Sequence, residues 1–583
     1  MRHLLTAFLF ALCPSLYAAK PNIILIYTDD HGHADLGIHG AVKDIKTPHL
    51  DALARSGVVA THGYSTAPQC VPSRGGVMTG RFQGRFDLDN NGSALDGFNK
   101  ETTIATRLQN AGYATAQFGK WHLGPTDAIT KHGFKHVFSQ NAQRPFSANI
   151  TLDGQDRPMS DLPPTEYHLD GCSKAAASII ERYKDQPFFL YVAYRAPHTP
   201  LDAPPHYKNR FPGKMPERRR AALGMLSAID DGVGLITSTL KKHGLTEKTL
   251  IFFIGDNGAP LKIHQVDSPL QGDAGGWDGS LNTPLNGEKG MLSEGGMSTP
   301  FLIAWPGTIP GGQTYEHPVT ALDFASTACE VASIGNRSGL DGVNLLPHLT
   351  GENKAPPHEA LYWRWMAQSA IREGSWKLLR GGNREYLYDL AADREEKHNL
   401  AAKHPEIATR LRAKLKTWAD GLTPPGMALG PMAATWNDYF DHYLEGKTIA
   451  PRVEIPEASA SETNGWEARN GKLTAKDGLF ILTPDKADKP TFITKAKLKL
   501  AGPVTAKITL KTAAKGQGAI AWRLDGDKDF LPVNRLTFPL QAITDWQTHN
   551  LQIPTTGRVI HVRVHLPAGA VEFRTLDFKT SAR

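Results

Sequence analysis

Between about residues 21 and 347 the apolar positions fall in short blocks, separated by polar loops and amphipathic stretches. Residues 22–27 form an uninterrupted apolar run bounded by polar residues, the pattern of a strand buried on both faces. Residues 188–194 and 250–254 repeat it. Thr47-Pro48 supplies a helix start for a stretch that stops near Gly57, and residues 216–242 carry helical periodicity. This alternation predicts an α/β fold with a mostly parallel central sheet flanked by helices. Ligands of such sheets sit beyond the C-terminal strand ends, which directs attention to the loops there.

From about residue 361 the pattern changes. Strand-like runs at 361–366, 376–380 and 385–390 precede a helical stretch at 405–419, predicting a small antiparallel sheet with a helix packed on it. Residues 451–465, with the run Glu457-Ala-Ser-Ala-Ser-Glu462, read as a linker. Beyond it, strands are predicted at 492–500, 504–511, 559–566 and 571–578. In the first of these Ala496, Leu498 and Leu500 share one face and Lys495, Lys497 and Lys499 the other. An appended all-β sandwich follows. The expected divisions are 1–19, 20–355, 356–450, 451–465 and 466–583.

The first segment has its own signature. Arg2 and His3 precede an apolar run over 4–12 and the small pair Ala18-Ala19, which reads as a secretory signal peptide. No internal stretch approaches the ~18–20 apolar residues that span a bilayer. Export to the periplasm or medium, without an integral membrane segment, is the expectation. Loss of that peptide leaves Cys70, Cys172 and Cys329, an odd number that flags one for a special role and leaves Cys172 and Cys329 open to pairing. The net charge of +7 is localised: residues 451–583 hold 20 Lys and Arg against 13 Asp and Glu, and the rest is balanced. A basic tail points to an acidic partner.

The strand at 22–27 is followed by Thr28-Asp29-Asp30, and that at 250–254 by Gly255-Asp256-Asn257-Gly258. Four oxygen donors from two strand ends suit a hard cation, Ca²⁺ with Mg²⁺ as the alternative. Taken singly, such dipeptides are ordinary loop residues. The decisive segment is Cys70-Val-Pro-Ser73-Arg74-Gly-Gly-Val-Met78-Thr79-Gly80-Arg81. It resembles, at every fixed position, the C-x-P-S-R-x-x-x-L/M-T-G-R signature of type I (formylglycine-dependent) sulfatases of the alkaline phosphatase superfamily. Pro72 fits an early helical turn, which would put residue 70 at a helix N-terminus, where backbone N–H groups favour anionic oxygen. Further blocks similar to the family's follow in its order: Gly119-Lys120-Trp121-His122-Leu123-Gly124, Ala196-Pro197-His198, Asp256-Asn257, Gly287-Glu288-Lys289-Gly290 and Glu294-Gly295-Gly296. The chain departs from the family at Ser298-Thr299-Pro300, where an Arg-Val-Pro is common, which puts one local support contact in doubt.

The resemblance implies a sulfuric ester hydrolase. A maturation enzyme would oxidise Cys70 to formylglycine, whose hydrate attacks sulfur with one hydroxyl and expels sulfate with the other. Ca²⁺ would be held by Asp29, Asp30, residue 70, Asp256 and Asn257. Arg74, Lys120 and Lys289 would stabilise charge on nucleophile and sulfate, His122 would sit beside the nucleophile as a base, and His198 would protonate the leaving oxygen. Two alternatives stay open: a phosphodiesterase or phosphonate monoester hydrolase of the same superfamily, and a catalytically inert carbohydrate-binding protein. His31, His33 and His39 read as residues of the rim or of the layer behind the ligands, Trp277 and Asp278 as parts of a long loop, and Asn91, Asn149 and Asn336 as glycosylation sequons.

For the substrate, export and the basic tail favour a sulfated polysaccharide or oligosaccharide, and no nucleic acid. Lys495, Lys497 and Lys499, with His561, Arg563 and His565, would line outward faces, and Trp466, Trp522 and Trp546 would offer stacking surfaces. Alternating lysine is equally a device that keeps strands from aggregating. The sugar, the sulfate position and the oligomeric state are not written in the sequence.

Overall fold

A computed structural model of the chain describes residues 20–140, 148–152, 155–157, 167–261 apart from 200 and 202, 279–423 apart from 336, 438–448, and 463–580 apart from 464, 477–478, 486–490, 497, 513–514, 528 and 568. The expected signal peptide, most of the expected linker, Trp277, Asp278, Asn336 and Lys497 lie outside the described residues. The chain divides into two compact units, residues 1–449 and 450–583.

The first unit is built on a ten-stranded sheet in the order Gln313–Tyr315, Val58–Ala60, Phe301–Ala304, Thr249–Gly255, Asn22–Asp29, Phe188–Pro197, Ala114–Lys120, His136–Gln140, Ala148–Leu152, Gln155–Arg157. Its five central strands, from Thr249–Gly255 to His136–Gln140, are mutually parallel. Antiparallel Phe301–Ala304 lies towards one edge and the hairpin of the last two strands forms the other. The unbroken apolar run at 22–27 has a simple cause. Ile24 and Ile26 face one core with helices Pro48–Arg55, His168–Arg182 and Glu217–Lys242; Ile23, Leu25 and Tyr27 face a second with Cys70–Thr79, Ile104–Asn110 and Asp323–Val331. Cys172 belongs to the first core and Cys329 to the second, and both are free thiols, so the pairing left open by the sequence is not made.

A four-stranded antiparallel sheet follows, Ala360–Trp365, Gln368–Glu373, Trp376–Gly381 and Arg384–Asp389, with helix Pro405–Asp420 against it. Its second strand, Gln-Ser-Ala-Ile-Arg-Glu, escaped the sequence reading. Gln368 and Arg372 are buried there by partners rather than by hydrophobicity: Gln368 donates to the Gly290 carbonyl (2.9 Å) and accepts from the Leu292 amide (2.8 Å), and Arg372 donates to the Tyr64 hydroxyl. The neighbouring Lys377 lies 2.9 Å from both Glu294 and Glu396, all three fully buried. Burial opposes ionisation of Glu294, but Lys377 and Arg372 hold it down at about 2, whereas burial pushes Glu396 up to about 7. This cluster staples the small sheet to the loop that carries Lys289.

The second unit is all-β, two packed antiparallel sheets around a core of its own. Two expectations are corrected here. The strand expected at 492–500 ends at Lys495, and residues 500–501 pair separately with Arg558–Leu566. Trp466 and Trp522 are 2% and 4% exposed and belong to the core, so they offer no stacking surface. Among the described residues no helix is long and apolar enough to cross a membrane.

Lys377→Met should cost about 3–5 kcal/mol at neutral pH, because two buried carboxyls lose their cation. Such carboxyls titrate higher folded than unfolded, so protons bind the folded state preferentially and the deficit should shrink as pH falls. Urea melts of both proteins between neutral and mildly acidic pH would show this; an equal deficit at every pH would contradict it.

Candidate active site

The parallel register explains why distant residues meet. Thr28 pairs with Gly255, Asp29 with Pro197, and Gly119 with Ala193. Four adjacent strands therefore end at one level and deliver Asp256 and Asn257, Asp29 and Asp30, His198, and Lys120 to a common edge. Gly119 has φ +83°, and a Cβ there would collide with the Ala193 carbonyl, so the bend that aims Lys120 requires glycine. Asp30 and His122 also adopt left-handed φ, 59° and 60°. Backbone held in this region is concentrated at functional sites.

Cys70 opens helix Cys70–Thr79, as the Pro72 argument anticipated. No side chain of its own N-cap closes the first turn; instead Asn91 Oδ1 accepts from the Val71 amide at 2.9 Å, and the Asn91 amide donates to Gln69 Oε1 at 2.9 Å. Asn91 had registered only as a sequon. The Cys70 thiol donates to Asp29 Oδ1 at 3.4 Å. Lys289 arrives on a loop pinned by the Lys289 amide to the Ala259 carbonyl (3.1 Å) and the Gly290 amide to the Pro68 carbonyl (2.9 Å).

Around Cys70 the charges interlock. Lys120 Nζ is 2.6 Å from Asp29 Oδ2, Lys289 Nζ 2.8 Å from Asp30 Oδ2, and Arg74 2.8 Å from Asp256 and 3.4 Å from Asp29. Arg74 is fully buried, donates to the Tyr191 hydroxyl and the Lys120 carbonyl at 3.3 Å, and lies over the Tyr27 ring. Asn257 donates to Asp30 Oδ1 at 2.6 Å, leaving its own buried Oδ1 without a partner among the described residues. His198 Nε2 lies 3.6 Å from Asp30 Oδ2, and its Nδ1 meets the Thr199 carbonyl at 2.7 Å. His122 Nδ1 is buried without a hydrogen-bond partner among the described residues.

The electrostatics follow. Burial opposes ionisation of Asp29, but Lys120, His198, Arg74 and Lys289 hold it well below its usual range, and Lys289 with His198 lowers Asp30 likewise. Asp256 goes the other way, up to about 7, because burial and the adjacent Asp29 outweigh Arg74. Burial drives His198 down to about 4 and, with Lys120 and Arg74, His122 to about 2; burial raises the Cys70 thiol well above its usual value. Such opposed shifts within one buried cluster characterise active sites. Asp29, Asp30, Cys70 and His198 place donor atoms within 4.8 Å of one another. Carboxylates that need more positive charge, together with an orphaned buried amide oxygen, suit a divalent cation.

Asp29, Asp30, Cys70, Arg74, Lys120, His122, His198, Asp256, Asn257 and Lys289 therefore lie together at this strand edge. The histidines nearby do not join the donor cluster: His31 bonds Thr28 and the Asp35 carbonyl, and His33 stacks on His39 at 4.3 Å. His31 is fully buried in the layer behind Asp29 and Asp30, the second of the two places the sequence leaves open for it. Sequence gave no hint of Tyr191 or Asn91, whose contacts are long-range. At the departure from the family pattern, Thr299 bonds the Gly255 carbonyl at 3.1 Å, so that turn still supports the Asp256 loop.

Comparison with known proteins agrees with this geometry. The Sulfatase family model matches residues 21–334, just over half the chain, and the N-sulphoglucosamine sulphohydrolase C-terminal model matches 287–420. Arylsulfatase A of Bos taurus is 30% identical over 473 residues, covering 68% of this chain and 87% of that protein. An N-acetylgalactosamine-6-O-sulfatase of Bacteroides thetaiotaomicron is 28% identical, covering 68% and 93%. The crystal structure of Ps i-CgsB in complex with k-i-k-neocarrahexaose superposes with a TM-score of 0.61 at 30% identity, covering 72% of this chain and 97% of that one. The chain belongs to the sulfatase family and is a sulfuric ester hydrolase.

Proposed function

We propose that the enzyme removes sulfate from a sulfated polysaccharide or oligosaccharide, with Cys70 oxidised to formylglycine as the nucleophile and Ca²⁺ as its metal. The observation that carries this reading is the buried convergence of three carboxylates, one orphaned amide oxygen and three cations on residue 70. The carbohydrate preference is supported by the relatives, which include an N-acetylgalactosamine-6-O-sulfatase and a protein crystallised with neocarrahexaose.

Asp29, Asp30, Asp256 and Asn257, with residue 70, would hold the cation, which when bound polarises a sulfate oxygen. Formylglycine supplies, as its hydrate, a hydroxyl pair at the position marked by the Cys70 sulfur. Around that position the chain's own groups divide the work. Lys120 and Lys289, whose carboxylate partners are the expected metal ligands, face the sulfate and neutralise charge that builds on it; fixed cations in a dry site do this without reorganisation. Arg74, locked by Asp256, Tyr191 and the Lys120 carbonyl, supports the nucleophile's charge from beneath. His198 is anchored through Nδ1 on the Thr199 carbonyl, so Nε2 is the atom that would face the departing alcohol oxygen; it delivers a proton there only as the imidazolium, a form that burial opposes and that Asp29 and Asp30 favour. His122, neutral and with an unengaged Nδ1, accepts the proton released when sulfate leaves residue 70.

In protein from its native source, mass spectrometry of the residue-70 peptide should find formylglycine, and a panel of position-defined sulfated saccharides should contain one turned over in preference to the matching phosphate ester. Unmodified cysteine with full turnover would defeat the nucleophile assignment; preference for the phosphate ester would defeat the reaction. His198→Ala should lower kcat about 10²–10⁴-fold on alkyl sulfates and much less on aryl sulfates, whose leaving groups need no proton. Equal losses on both would remove His198 from the acid role.

A further inference from the structure

The basic tail expected from composition has a specific geometry. In the sheet containing Arg558–Leu566, that strand alternates core residues Val562 and Val564 with outward His561, Arg563 and His565. The register brings more cations to the same face: Ala521 stands opposite both Arg563 and Arg535, Arg523 opposite His561, and Arg469 opposite Phe492, which is itself opposite His565. The alanines at 519 and 521 form a low floor, 3% and 6% exposed. Arg563 stacks over Phe530 at 3.9 Å and over Phe492 at 5.2 Å, which fixes the guanidinium without neutralising it.

What sets this face apart is a cluster of arginines without carboxylate partners. Arg469 is matched to Glu467, but no carboxylate pairs with Arg523, Arg535 or Arg563 among the described residues, and the Nε atoms of Arg523 and Arg563 lack hydrogen-bond partners. On the other sheet of the sandwich Lys511 and Lys579 are paired with Glu572 and Asp577, while Lys472 and Lys507 have no carboxylate partner among the described residues and no aromatic ring holds them. The unpaired field acts on its neighbours: burial, Arg523 and Arg563 lower His561, and burial, Arg535 and Arg563 lower His565. The loop that carries Phe530 leaves Leu531 and Val533 exposed by 45% and 79%, apolar surface beside the cations.

We propose that this face, centred on Arg523, Arg535 and Arg563, is a docking surface for an anionic, sulfated glycan chain, separate from the hydrolytic site. Guanidinium groups present forked donors that match the paired oxygens of an oxyanion. Residues two apart on a strand are about 7 Å from each other and strands about 4.8 Å apart, so the cations form a grid that spans several charges of a polymer, more than one sulfate requires. The choice of a sulfated glycan among polyanions rests on the sulfate ester chemistry proposed for the same chain; the face itself does not.

Binding of the full-length protein to dextran sulfate, with neutral dextran as reference, tests this without recourse to turnover. The R523Q/R535Q/R563Q variant should bind about tenfold more weakly or worse, and its affinity should fall less steeply with salt. K472Q/K507Q/K579Q, the same charge change on the other sheet, should lose less than about threefold. Should the triple arginine variant melt early, Arg535→Gln alone, at an exposed position, should still show a loss of about threefold. Equal affinities for wild type and arginine variants would overturn the proposal, as would equal losses in both triples, or tighter binding to duplex DNA or anionic phospholipid vesicles than to dextran sulfate. Failure of hydrolysis with this binding intact would count against the proposed reaction alone.

Discussion

Asp29, Asp30 and Asp256 are carboxylates with no access to water, and the first unit is organised around keeping them charged together. Two like charges at about 4 Å repel by about 4 kcal/mol at an effective dielectric of 20, so three such groups cannot stay ionised without cations. Lys120, Lys289 and Arg74 supply one positive charge each, at 2.6, 2.8 and 2.8 Å. The balance is still strained: Asp256 is pushed up to about 7, and Asn257 Oδ1 has no donor among the described residues. A site in this condition favours a further cation and, beside it, an anion that engages the lysines, which is the demand a metal and a sulfate ester would meet.

Such a cluster needs rigid delivery, and the parallel sheet provides it. Residue 29 stands level with 197 and residue 28 with 255, so ligands, histidine and lysine leave neighbouring strands at one height. The helix bearing Cys70 packs on one face of that sheet, and its first turn is tied down by Asn91. Lys289 is fixed from the far side through the buried Lys377 cluster and the small antiparallel sheet. Chemistry at one edge therefore depends on packing in every layer of the unit.

The sequence was most legible where one physical signal dominated. The run at 22–27 is buried on both faces, so hydrophobicity alone marks it, and the Cys70 segment carries a pattern too specific for chance. Legibility failed where burial is achieved by partners. The strand carrying Gln368 and Arg372 goes unpredicted because pattern treats polar side chains as solvated, yet both are buried, with the Gly290 carbonyl and the Tyr64 hydroxyl as their partners. The tail failed differently. Its alternation placed His561, Arg563 and His565 on the outer face, but side-chain type says little about which tryptophan is core, and Trp466 and Trp522 went inward. Tyr191 and Asn91 contribute through contacts across 117 and 20 residues, which no local pattern encodes.

A carboxylate cluster that serves as a divalent cation site should reveal itself in thermal unfolding of the purified protein across a Ca²⁺ titration that starts from chelator. Ca²⁺ at about one hundred times its Kd should stabilise the folded chain by about 2.7 kcal/mol and raise Tm accordingly, and Asp256→Asn should remove most of that gain. A Tm that is the same in chelator and in saturating Ca²⁺ or Mg²⁺ would mean that the carboxylate cluster is not a divalent cation site.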